Sequence, residues 1–479
     1  MTILSRRGFL AAGVAVAAVA QFSRAGAAKI PALSLKAETR VLDIRGRAAT
    51  DLGLTGPTGQ GLVLDPGQRF RVDLTNALDE PTLIHWHGQI PPNEQDGVPD
   101  LPMRMLRLGE SRAYDFAPQA GTHWMHAHIP MQEMRLLAAP LIVRRPQDAS
   151  ADRQEVVMFL QDFAFNAPEE VMAEIAGGHG GMDHSAHGAP DVPLMHQNPA
   201  GHGEMPKMAM DLNDHDWDAY LANDRTLDDP DVVQVERGGR VLLRIINAAS
   251  ATVFWIDSGA VPARLVAVDG HPVRATSGHR FGISMGQRLD LELDLPSQAG
   301  AWPILALREG ARERTGLVLA AKGAVIPRVP VLSSTAAPAF DIDLAQETRL
   351  VGLEPLAERA VDRGVTLMLG GSMRPYRWTI DERIWGEHVP VETRTGERVE
   401  ITFHNMSMMA HPMHLHGHVF QVVAVNGSRI RGARRDTVHV PPMAKVTVAL
   451  DAGEAARWML HCHHMPHLQT GMMTEFAIS

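Results

Sequence analysis

Three stretches of the chain share one pattern of apolar and polar positions. Each opens on a glycine, runs through an alternating or wholly apolar segment, and closes on an asparagine: Gly67 to Asn76, Gly239 to Asn247 and Gly396 to Asn405. Alternation of period two is the signature of a half-buried strand, and the flanking Gly and Asn are turn residues. The three asparagines stand 171 and 158 residues apart, so the pattern predicts three copies of one β domain. Val268-Asp269-Gly270 and Val425-Asn426-Gly427 read as matching hairpin tips in the second and third copies. Helical periodicity is scarce. The predicted class is all-β, with a two-sheet Greek-key sandwich as the unit. A chain of 479 residues is too long for one core. Polar Arg145–Ser150 and the Ala/Pro/Ser-rich stretch from Ile326 to Phe340 divide it into domains over 28–147, 148–330 and 331–479.

Composition narrows the chemistry. A net charge of −10 argues against nucleic acid as a partner. The chain holds 24 His, 25 Met and a single Cys, which excludes an internal disulfide and points to transition-metal chemistry. Ser5-Arg6-Arg7-Gly8-Phe9-Leu10, followed by a mild Ala/Val run and Ala25-Gly26-Ala27, reads as a twin-arginine signal peptide over 1–27. The expectation is export to the periplasm by the twin-arginine machinery. No later apolar run is long enough for a bilayer, so no stable membrane anchor is expected.

The histidines fall into four H-x-H clusters: His85/His87, His126/His128, His414/His416 and His461/His463. On a strand, residues i and i+2 share a face, so each pair presents two imidazoles together. Two pairs belong to the first repeat and two to the third. Eight imidazoles converging between two domains can hold three metal ions. Cys462 lies between His461 and His463 and faces the opposite side of the strand. There it can bind a different metal, wired to the first site through a few covalent bonds. His411, off-register from the 414/416 pair, can reach that second site. His467 supplies another imidazole and Met472 a soft thioether. Two His, one thiolate and a weak axial Met describe a blue-copper electron-transfer site.

These four motifs resemble those of the three-domain multicopper oxidases, the family of laccases and bacterial copper-efflux oxidases, from about residue 40 to the end of the chain. The resemblance implies three cupredoxin-like domains and four copper ions. His411, Cys462 and His467 would bind the type 1 copper, with Met472 axial. His85 and His414 would bind the type 2 copper. His87, His126 and His463 would bind one type 3 copper, and His128, His416 and His461 the other. A donor would reduce the type 1 site, and electrons would pass from Cys462 through His461 or His463 to O2, giving two waters. Asp96 matches the family's acidic position for proton delivery. Asp436 resembles one that orients a histidine ligand. The second repeat continues as Ala248-Ala-Ser-Ala-Thr-Val-Phe254, without ligands, which implies a spacer domain.

The donor is Cu(I), a phenolic compound, or both. Residues 172–215 carry six Met and six His among Gly, Pro and Asp, with no hydrophobic period, and read as a flexible insertion in the second domain that could collect copper. Met409, two residues before His411, matches the copper-efflux oxidases. Ser407 and Leu468 stand where those enzymes carry acids, which keeps a laccase-type phenol oxidase open. A copper nitrite reductase would not need four H-x-H pairs. A copper-free scaffold protein of this fold would lack the ligands.

Overall fold

The computed structural model describes residues 31–177 and 212–479. The expected export signal and most of the Met/His-rich segment lie outside the described residues. Among the described residues, no helix is long and apolar enough to cross a membrane.

Three sheet pairs follow one another along the chain. In the first, a sheet ordered Gly59–Gln60, Arg47–Gly56, Leu33–Ile44, Phe70–Asn76, Ser111–Phe116 shares a core with the sheet Leu62–Leu64, Ala138–Val143, Gly121–Ala127, Ile84–His85. The second pairs a six-stranded and a five-stranded sheet between Gln154 and Ala321. The third pairs a seven-stranded and a five-stranded sheet from Arg363 to Ile478. In each unit the repeat strand lies parallel to the unit's opening strand: Phe70–Asn76 beside Leu33–Ile44, Arg240–Asn247 beside Gln154–Phe163, and Arg398–Asn405 beside Arg363–Met373. The fold is three cupredoxin-like Greek-key sandwiches. Residues 326–340 bridge back onto the second unit at Leu332 and Ala337.

The repeat strands differ as their sequences do. Phe70–Asn76 and Arg398–Asn405 alternate between the core and the outer face, whereas Arg240–Asn247 is buried on both sides after its first residue. A strand covered on both faces loses the polar half of its alternation, which accounts for the near-continuous apolar run of the middle copy. The closing asparagine does the same work three times. Asn76 Nδ2 donates to the Glu80 and Leu106 carbonyls, Asn247 to Thr252 and Ile283, and Asn405 to Met409 and Val440. Each Oδ1 accepts the N–H two residues on. A buried amide so satisfied pins the following loop, and in the third unit that loop leads into His411. Both predicted hairpin tips have left-handed backbone at two successive residues, Asp269/Gly270 and Asn426/Gly427, as a type I′ turn requires.

The segment expected to be a flexible insertion is ordered at both ends. Its first residues complete the helix Pro168–Gly177, which buries Val171 and Ile175. At its far end Asp214 and His215 are buried.

Candidate metal centre

The first and third units meet where their histidine strands face each other. In the first, His85 pairs with His126 across adjacent strands. In the third, His414 pairs with His461, and Met413 with Cys462. Across the boundary, His414 Nε2 lies 3.4 Å from His85 Nε2. Ligand atoms gather within 4.8 Å of one another in three adjoining sets: His85, His87 and His414; His87, His126 and His463; and His128, His416 and His461. All eight residues are buried. Three of the four H-x-H pairs are divided between these sets, while His85 and His87 meet in the first. His126 stands in one and His128 in the next, and His461 and His463 divide the same way. The strands end or bend at these pairs, because His87, His128, His416 and His463 each lie just beyond a strand terminus.

Carbonyls and carboxylates hold the outer nitrogens of several of these rings. His85 Nδ1 donates to the Asp96 carbonyl at 2.9 Å, His414 Nδ1 to the Asp436 carbonyl at 2.9 Å, and His461 Nδ1 to the Cys462 carbonyl at 2.9 Å. Asp96 is buried, with Oδ2 2.8 Å from His416 Nδ1 and Oδ1 3.4 Å from His85 Nδ1. Such partners fix the tautomer and leave the inner lone pair free for a metal. The inward atoms His87 Nδ1, His126 Nε2 and His128 Nε2 are buried with no hydrogen-bond partner. Buried polar atoms are almost always satisfied, so these orphans fit metal ions. Burial also pushes the pKa of His87, His126, His128, His414, His416 and His463 well below the ordinary value, and that of His461 down to about 3. Burial thus favours the neutral form of these seven rings, the form that ligates.

On the other face of the Cys462 strand a second set forms from His411, Cys462 and His467. The two Nδ1 atoms are 3.2 Å apart, and Cys462 Sγ is 3.7 Å from each. A trigonal metal about 2.0 Å from nitrogen and about 2.3 Å from sulfur needs edges of about 3.5 and about 3.7 Å. Met472 is fully buried, and its carbonyl accepts the Cys462 N–H at 3.1 Å. Burial pushes the Cys462 thiol upward, so the thiolate form depends on a bound cation. Trp378 stacks on His467 at 4.2 Å and Leu468 is buried in the core, keeping water from this site. Ser407 Oγ donates to Asn405 Oδ1 and lies 2.8 Å from His411 Nε2, where it accepts the ring proton.

Two carboxylates beside these ligands escaped sequence reasoning. Glu133, on the short helix Pro130–Glu133, places Oε2 2.6 Å from His126 Nδ1. Asp214 sets Oδ2 3.5 Å from both His467 Nε2 and His464 Nε2 and accepts the Tyr376 hydroxyl. No local signal marks Asp214, which comes from the second unit and supplies the acid that Leu468 does not. Asp214→Asn is expected to raise the reduction potential of a copper held by His411, Cys462 and His467, because a buried carboxylate 3.5 Å from the outer nitrogen favours the more positive metal. Redox titration of the blue absorption reads the shift, and an unchanged potential would refute the contact.

Three sandwiches with an interdomain histidine cluster, joined by one cysteine to a His2Cys triangle, define the multicopper oxidase class. Family models described as multicopper oxidase match residues 55–148, 155–322 and 361–479, so the chain belongs to that family: it is an oxidase, and its metal is copper. It is similar to the multicopper oxidase MmcO of Mycobacterium tuberculosis, 30% identical with 98% of this chain and 96% of the relative aligned. It is also similar to copper resistance protein A of Escherichia coli, 24% identical over 89% of this chain and 88% of the relative. Fet3p, a multicopper oxidase that functions in iron import, has a solved structure that superposes with a TM-score of 0.73 at 16% identity, covering 93% of this chain and 90% of that one.

Proposed function

We propose that the protein uses four copper ions to couple four one-electron oxidations of a donor to reduction of O2 to two waters. The observation that carries this is the single joint between two ligand sets: Cys462 stands in the His2Cys triangle while its covalent neighbours His461 and His463 stand in the interdomain cluster. In this reading His411, Cys462, His467 and Met472 would hold the type 1 ion, and His85 and His414 the type 2 ion. His87, His126 and His463 would hold one type 3 ion; His128, His416 and His461 would hold the other. Bound copper supplies one-electron storage and the site of O2 reduction. The protein's part is to orient the rings through carbonyls and carboxylates, to keep the cluster dry, and to hold a proton-relaying acid, Asp96, against His416.

Cu(I) is the favoured donor, with a role in copper tolerance in the periplasm after twin-arginine export. Support comes from Met409, which with Met285 and His464 lines a small cleft beside the type 1 residues, and from the similarity to a copper resistance protein. Thioether and imidazole suit Cu(I). Phenol oxidation is the second reading, favoured by the uncharged Ser407 and Leu468. Because residues 172–177 are helical, the informative deletion is 178–210. About four coppers per chain are expected by metal analysis. Oxygen uptake with Cu(I) should fall in the deletion while uptake with a phenol persists. One or two coppers without oxygen uptake would reject the oxidase chemistry. Equal rates with and without the deletion would reject the copper-collecting segment.

A further inference from the structure

We propose that Arg288, from the middle domain that contributes no metal ligand, is a positioning residue for the trinuclear centre, acting on His87 and His414 through Asp436. Arg288 opens the strand Arg288–Asp294 and is fully buried. Its guanidinium touches all three domains. Nε donates to the Thr122 carbonyl of the first at 3.1 Å. Nη1 donates to the Gly286 carbonyl of its own at 3.0 Å. Nη1 and Nη2 together grip both carboxylate oxygens of Asp436 in the third, with Nη1 to Oδ1 at 2.7 Å. Only the planar five-donor fork of arginine meets all these acceptors at once.

Asp436 turns that grip toward the metal site. Its Oδ1 lies 3.0 Å from His87 Nε2 and 2.9 Å from Thr437 Oγ1, while its carbonyl takes His414 Nδ1 at 2.9 Å. A carboxylate there accepts the Nε2 proton of His87 and so directs Nδ1, the orphaned atom, inward. Without Arg288, Asp436 becomes an uncompensated buried charge. With neither carboxylate oxygen gripped, the side chain is free to swing away from His87 Nε2.

The rest of the middle-domain turn fits the same task. A Cβ on Gly286 would fall 3.0 Å from His463 Cδ2 and 3.2 Å from His87 Cε1, so the bare backbone packs against two ligand rings. A Cβ on Gly88, where φ is +84°, would fall 2.4 Å from Arg288 Nη2. The H-W-H-G glycine thus makes room for the guanidinium. Gln287 Nε2 donates to the Thr437 carbonyl at 3.2 Å. The repeat asparagine Asn247 holds the turn through two backbone hydrogen bonds, Gly286 N to Asn247 O at 2.9 Å and Asn247 N to Gln287 O at 3.1 Å. The domain that supplies no ligand thus supplies the clamp behind them.

The inference rests on the assignment of His87 and His414 to the trinuclear site, and the test separates the two. Copper-loaded Arg288→Met and Arg288→Lys are challenged with a copper chelator. The blue absorption reports the type 1 site, and the type 2 resonance and the coupled-pair absorption report the trinuclear site. Loss of an outer partner of this kind typically costs 10–100-fold in metal affinity. That loss is expected at the trinuclear site in Arg288→Met, with a smaller one in Arg288→Lys and the blue band unchanged in both, since Arg288 contacts none of His411, Cys462 or His467. The control is Arg244→Met. Arg244 is similarly buried, with Asp148, Glu155 and Asp290 as partners at 3.0, 3.0 and 3.3 Å, but it touches no histidine of the cluster, so its loss should lower thermal stability without selective copper loss. Wild-type chelator resistance at the trinuclear site in either Arg288 variant, or equal loss of both signals, overturns the inference. Wild-type protein that never shows trinuclear signals instead overturns the assignment beneath it.

Discussion

Cys462→Ser abolishes the intense blue absorption and brings oxygen consumption to background, while the type 2 and coupled-pair signals remain. The expectation follows from the two faces of one strand. Sγ stands 3.7 Å from both His411 Nδ1 and His467 Nδ1, and a serine hydroxyl at that place supplies neither the soft thiolate nor the longer reach that closes the triangle. His461 and His463 keep their own partners in the interdomain cluster, so nothing in the substitution disturbs them. Visible absorption, electron paramagnetic resonance and an oxygen electrode read the three outcomes. A Cys462→Ser protein that stays blue, or that oxidises its donor at the wild-type rate, would remove Cys462 from the proposed electron entry.

Asp96→Asn is expected to slow turnover about 100-fold, the lower range for a lost general acid, and to leave reduction of the blue site by the donor unaffected. Asparagine keeps the shape and can still accept from His416 Nδ1, which Asp96 Oδ2 meets at 2.8 Å. What it cannot do is carry a proton into a buried cluster. Stopped-flow reduction under anaerobic conditions, set beside steady-state oxygen uptake, separates the two steps. If the variant loses type 2 or type 3 copper instead, Asp96 acts on ligand geometry and the proton-relay role falls.

Much of this was legible in one dimension because its physics is local. Period-two patterning and turn chemistry mark strands and hairpins wherever they occur, and Asn76, Asn247 and Asn405 mark the same loop clamp in all three domains. The ligand strands were legible too, since H-x-H and H-C-H place donors on defined faces of a strand by backbone geometry alone.

The grouping of His87 with His126 and His463, and of His128 with His416 and His461, was legible only through the family resemblance, because spacing alone says nothing of where strands end and how two domains meet. Not legible were Asp214 beside His467, Glu133 beside His126, and Arg288 gripping Asp436, pairs separated by 253, 7 and 148 residues. An isolated acid or arginine in a sequence looks like a solvated surface charge. Only burial turns it into a group that must find a partner, and burial is a property of packed domains. The sequence by itself determined the sandwiches and the ligand-bearing strands. Tertiary structure alone decided the partners that no motif marks, Asp214, Glu133 and Arg288, because such a contact exists only once the chain has packed and excluded water from around it.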